Sequence, residues 1–198
     1  MSAISSPLPE THGAWKLPYR GTVGMACLIF AESAIFTIFV VAYLFYVGKS
    51  FSGPTPQEVL ETPIFYTICL LSSSLTIHFA GKFLEGGRRG AFLVFWLLTI
   101  ALGSLFLYGT GQEWHRLIYE RGLTISTNLF GTTYYSLVGL HAFHVTVGLI
   151  LLTIVLLLGL AGRVGPEQSA RVDVLSLYWH FVDAVWVVVF TVVYVLGS

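Results

Sequence analysis

The chain has 198 residues, 56% hydrophobic and only 10% charged, with Lys and Arg balancing Asp and Glu to a net charge of zero. A soluble domain carries about a quarter charged residues, so this composition excludes one and points to an integral membrane protein. The absence of a basic patch or charge run excludes nucleic acid as a partner. Cys27 and Cys69 both sit in apolar runs without metal-type spacing and read as small core residues.

Met1 to Arg20 contains Pro7, Pro9 and Pro18 but no apolar core of a signal peptide, so it reads as a tail before the first span, with 21–198 as the membrane domain. Apolar runs follow at about 22–47, 63–84, 91–112, 131–160 and 175–196. Each matches the roughly 20 residues needed to cross about 30 Å of hydrocarbon. Breakers and charges separate them: Gly48, Lys49, Gly53, Pro54 and Pro56; Glu85 to Arg89; Arg116, Glu120 and Arg121; Arg163, Gly165 and Pro166. No period of two suggests a barrel, and no internal repeat is present. The expected fold is all-α, a five-transmembrane-helix bundle.

The first span carries Glu32, the second His78, and the fourth the pair His141 and His144. The fifth reads LSLYWHFVDAVWVVVFTVVYVL, in which Trp179, His180, Asp183 and Trp186 form one polar-aromatic stripe at spacings of three, four and seven. An unpaired charge in hydrocarbon costs several kcal/mol, about 2.5 or more, so this stripe is expected to face protein or a polar cavity. At 1.5 Å per residue, Glu32, Asp183, His141 and His144 fall near the midplane, and His78 and His180 at one common depth of about 9 Å. Glu32 has two open readings, a hydrogen-bonded packing residue or a group with a proton-related or lipid-contacting role. His141 and His144 lack a carboxylate or thiolate at ligand spacing, which favours interhelical hydrogen bonding over a metal site. His180 and Asp183 read as polar contacts between helices, with proton carriage as the alternative. Trp15, Trp96, Trp114, Trp179 and Trp186 are expected to anchor or pack, and Thr132, Ser136, Ala142 and Thr146 to mark close helix contacts.

Lys16, Arg20, Lys82, Arg88, Arg89, Arg163 and Arg171 would lie on one side of such a bundle, and Lys49, Arg116 and Arg121 on the other. The excess places the N-terminus in the cytoplasm and the C-terminus outside.

Four ordered segments carry a resemblance to a known family. GTVGMACLIFAESAIFTIFVVAYL resembles its glycine-rich helix with a glutamate after a small residue, here Ala31, Glu32 and Ser33. GQEWHRLIYERGLTISTNLFG resembles its third connection, with Gln112, Glu113 and a helix start at Asn128, Phe130 and Gly131. YYSLVGLHAFHVTVGLI matches its paired histidines, followed by Val145 and Gly148, and YWHFVDAVWVVVFTVVYV its last helix. The family is subunit III of the haem-copper terminal oxidases, in the short five-helix form. Its larger members add two splayed spans that form a phospholipid cleft, so a cleft here needs a second wall from another chain.

The resemblance implies an accessory subunit in a bacterial inner (plasma) membrane, packed on the catalytic subunit I among other oxidase subunits and in contact with phospholipid. It implies stability and proton uptake as the functions served, and carbodiimide reactivity at Glu32. Catalytic, cofactor-binding and metal residues are expected to be none in this chain, with haem and copper in partner subunits. Two cysteines on different helices and dispersed single polar groups support that reading. Alternatives are an accessory subunit of a quinol oxidase or nitric oxide reductase of the same family, or an independent proton-coupled transporter. The last lacks the repeated halves or broken helices common in transporters.

Overall fold

A computed structural model describes residues 19–49, 53–60 and 62–197. The tail with Trp15, Lys16 and His12 lies outside the described residues. Among the described residues five helices are long and apolar enough to cross a membrane. They are α1 (Arg20–Tyr46), α3 (Ile64–Glu85), α4 (Arg89–Tyr119), α5 (Leu129–Leu160) and α6 (Ser169–Phe190), the last extended by a 3-10 turn at Pro166–Gln168 and a π-helical end at Thr191–Leu196. A single turn, α2 (Pro56–Val59), interrupts the first connection, and the described residues hold no strand. In lipid every backbone polar group needs an internal partner, which leaves helices as the form these apolar runs take.

The helix ends follow from local chemistry. After α3 the chain reverses at Gly87, whose φ of +68° suits glycine, while Arg88 N bonds Phe83 O at 2.8 Å and Gly87 N bonds Leu84 O at 3.0 Å. The same paired stop recurs after α5 at Gly162, φ +81°, with Arg163 N on Leu158 O at 2.9 Å. Arg89 donates to the carbonyl of Gly159. A cation is thereby placed on the negative end of α5, tying the α3–α4 turn to that helix.

The spans begin and end close to expectation except the third, which continues past residue 112 to Tyr119, and the fifth, whose helix already starts at Ser169, before the apolar run at 175. The first polar residues, Gln112 and Glu113, mark the end of the apolar run but not of the helix. Glu113 and Leu117, one turn apart, are both buried in the bundle, and that packing carries the helix onward. The true third connection is therefore short. Asn128 starts α5 as expected: its Oδ1 accepts from Gly131 N at 2.8 Å, and its Nδ2 donates to Pro54 O at 3.2 Å, fastening the first connection to the helix start.

In the bundle α3 pairs with α4, α4 with α5 and α5 with α6, and α6 also packs on α3. The core lies between these four helices. α1 leans on α5 and α6 and buries little beyond Phe36 and Tyr43, presenting Phe30, Ile38 and Val41 outward. Cys69 is buried but Cys27, on α1, is exposed, so it is not a core residue. Thr132 and Thr146 are likewise exposed, their hydroxyls bonded to carbonyls of their own chain segment, and Ser136 and Ala142 only half-buried. The close helix contacts are made by glycines instead. A Cβ at Gly103 or at Gly148 would lie 2.8 Å from the Trp179 ring. The indole is wedged between α4 and α5 where only hydrogen fits.

Candidate functional site

The stripe on the last span meets α3. Trp179 Nε1 donates to Ser73 Oγ at 2.8 Å and Trp186 Nε1 to Thr67 Oγ1 at 3.2 Å. Between them Ser74 donates to Asp183 Oδ2, and its Oγ lies 3.0 Å from His180 Nδ1. Trp179, Asp183 and Trp186 are buried and His180 is half-buried. His180 and Asp183 thus do not bond each other; both reach a serine on the neighbouring helix. Asp183 Oδ1 is buried with no hydrogen-bond partner. Thr67, Ser73 and Ser74 on α3 are partners the sequence reading missed, although polar groups inside an apolar run were a visible signal.

Glu32 and His144 form a second contact, between α1 and α5. Glu32 Oε2 lies 3.1 Å from His144 Nε2, and His144 Nδ1 lies 2.8 Å from Leu140 O. A carbonyl only accepts, so Nδ1 carries hydrogen and the Glu32–Nε2 contact holds a single proton between a carboxyl and an imidazole. Tyr178 donates to His144 O at 3.1 Å, and the Phe36 ring stands 5.0 Å from the imidazole. The Glu32 side chain remains 23% exposed, so this contact sits on the flank of the bundle.

His141 diverges from His144. One residue set three positions back on a helix points about 60° away, here into the core. Its ring stacks on Trp186 at 5.0 Å and 29° and meets the edge of Phe106, and neither ring nitrogen has a partner. The four groups expected near the midplane are therefore divided: Glu32 with His144, Asp183 with His180 through Ser74, and His141 alone against indole. Among the described residues no group of three His, Cys, Asp or Glu is placed to hold a metal ion.

At the far end of the bundle a buried network joins Glu113 to Tyr194. The Tyr194 hydroxyl is 3.0 Å from each carboxyl oxygen of Glu113 and 3.4 Å from the Tyr134 hydroxyl. The sequence reading set Glu113 in a loop, while the extension of α4 carries it inside. His115 stands in the same extension, its ring 4.6 Å from that of Tyr119.

His78 and His180 share a depth, as expected. Both line a crevice of about 240 Å³ between α3 and α6, together with Gly81, Lys82, Glu85 and Asp173.

The sequence model of the cytochrome c oxidase subunit III family matches residues 20–198. Cytochrome c oxidase subunit 3 of Synechocystis sp. is 37% identical over 205 aligned residues, covering 98% of this chain and 86% of that protein. Cytochrome bo(3) ubiquinol oxidase subunit 3 of Pseudomonas aeruginosa is 30% identical over 88% of this chain and 84% of its own length. Cytochrome c oxidase subunit 3 of Bacillus subtilis is 30% identical, with 88% and 86% covered. The match runs from the first span to the last, through the four segments that carry the paired carboxyl, histidine and tryptophan groups, and on it the chain belongs to the cytochrome c oxidase subunit III family.

Proposed function

We propose that this chain is the cofactor-free accessory subunit III of a bacterial respiratory haem-copper oxidase, where it packs on the catalytic subunit and supports its stability and proton uptake during oxygen reduction. The family match over residues 20–198 carries this reading. The donor set supports the absence of a cofactor. Of the five histidines within the spans, His144 is engaged by Glu32 and Leu140 and His180 by Ser74, His141 is stacked on Trp186, His78 lines the α3–α6 crevice and His115 lies beside Tyr119. Haem and copper then belong to the partner subunits. The excess of Lys and Arg at the loops after α3 and α5 favours a cytoplasmic N-terminus.

Glu32 and His144 serve as the fastening of α1, with the exposed flank of Glu32 meeting phospholipid or a partner's surface. An ubiquinol oxidase subunit among the relatives keeps a quinol as the second reading for the electron donor.

The test is purification of the tagged chain from native membranes in mild detergent. Haem absorbance and oxygen uptake should elute with it, driven by reduced cytochrome c. Activity with quinol alone selects the second reading, and elution without any haem-bearing chain refutes the proposal.

A further inference from the structure

The crevice between α3 and α6 is apolar at Ile77 and carries ionisable or hydroxyl side chains from both helices on the rest of its wall. α3 supplies His78, Lys82 and Glu85, and α6 supplies Asp173, Ser176 and His180. Gly81 leaves room for Asp173: a Cβ there would stand 3.4 Å from its Oδ1. Lys82, Glu85 and Asp173 are exposed near the helix ends, so the mouth meets the aqueous boundary. His180 forms the deeper wall, and from it a continuous contact leads inward, His180 Nδ1 to Ser74 Oγ at 3.0 Å and Ser74 to Asp183. Asp183 lies about 15 Å further along α6 than Asp173. It is 3% exposed, and its Oδ1 has no partner.

A purely structural polar contact needs no approach from the aqueous boundary, and the large majority of buried polar side-chain atoms have a hydrogen-bond partner, which Asp183 Oδ1 lacks. From this geometry we infer that Asp183 is a proton-loading site served from one face of the membrane by the crevice, through His180 and Ser74. A proton from water in the crevice binds His180 Nε2, Nδ1 passes its own hydrogen to Ser74 Oγ, and the serine hydroxyl hydrogen moves to Asp183 Oδ2. One O–H or N–H bond breaks for each that forms, and no electron is transferred. The imidazole ends with its hydrogen on Nε2, and unloading runs the same chain backwards to the same face. The groups facing the relay are Ser73 and Ser74 on α3 around Asp183, and His78, Lys82, Glu85 and Asp173 around the crevice side of His180. This inference rests on the proton-uptake reading only for the use made of the proton.

Infrared difference spectroscopy on the intact complex, resting and without turnover, reads the loading. A carboxylic C=O band that Asp183→Asn removes should respond to pH and shift in deuterium oxide. His180→Phe and Ser74→Ala should each slow that shift by about a hundredfold, the usual worth of a positioned proton carrier. An unaltered rate in both variants overturns the relay, as does the lack of any band that Asp183→Asn removes. Should either variant fail to assemble, the other and a labelling experiment still decide. In a Cys27→Ser, Cys69→Ser background, a charged thiol reagent added from one face should modify Ser176→Cys far faster than Val187→Cys on the exposed flank. Equal inertness of both means a dry crevice and refutes the inlet. Because loading is read without turnover, its failure leaves the subunit III reading standing. A complex that does not retain this chain fails that reading instead.

Discussion

Glu32 meets His144 at 3.1 Å with one proton between them, and this fixes what substitution there should do. Glu32→Gln keeps a donor toward Nε2, so assembly, turnover lifetime and protons pumped per electron should stay near those of the parent complex. Glu32→Leu leaves the imidazole without that partner and should loosen α1 by about 0.6–2 kcal/mol, the worth of a membrane hydrogen bond, seen as lower retention of this chain in the purified complex. A large loss of pumping in Glu32→Gln with the chain still bound would overturn the structural reading of this residue. Asp183→Leu should cost a similar 0.6–2 kcal/mol, because Ser74 loses its acceptor on α6 while keeping His180. Thermal unfolding of the complex measures it; an unchanged midpoint would mean that the Ser74–Asp183 bond contributes nothing to holding α3 on α6.

At the scale of elements, one indole organises three helices. Trp179 of α6 lies between Gly103 of α4 and Gly148 of α5 and bonds Ser73 of α3. Overpacking a filled core costs about 1–3 kcal/mol. Gly148→Val should therefore lower the thermal midpoint of the complex, and more so than Thr146→Val, which changes an exposed position two residues away. Equal midpoints would show that α5 shifts to accommodate the added carbons. The π-helical end at Thr191–Leu196 has a comparable role, since it carries Tyr194 to Glu113. A π turn inserted at a helix end re-aims the side chains beyond it. Tyr194→Phe should leave Glu113 short of a hydroxyl donor and destabilise the α4–α6 contact by about 1–3 kcal/mol.

For the whole molecule, four helices enclose the core and α1 lies outside it, with Phe30, Ile38 and Val41 facing outward. An apolar helix that buries so little against its own chain has its remaining area for lipid or a partner subunit. The chain separated from its partners should bind no haem or copper, because its histidines diverge and its cysteines lie on α1 and α3. An optical spectrum and metal content of the isolated subunit check this, and stoichiometric haem or metal would refute it.

By itself the sequence determined the number of spans, their order and the polar groups inside them, because membrane thickness sets the length of an apolar run and hydrocarbon makes every charge within it conspicuous. The helix start at Asn128 came from the family resemblance, whereas the turn after Glu85 was legible from its own residues, because helix stops are written in adjacent glycines and charges. Pairing was not. Depth along a helix put Glu32, His141, His144 and Asp183 at one level, yet rotation about the axis and the choice of neighbour sent them to three separate environments. Gly103 and Gly148 showed no sign of their role, since it depends on an indole from a helix distant in sequence. The extension of α4 through Glu113 was hidden because hydropathy registers lipid contact, while that turn is held by the buried hydroxyl of Tyr194. Only packing in three dimensions decides such partners, because the free energy that selects them lies in contacts between chain segments far apart in sequence.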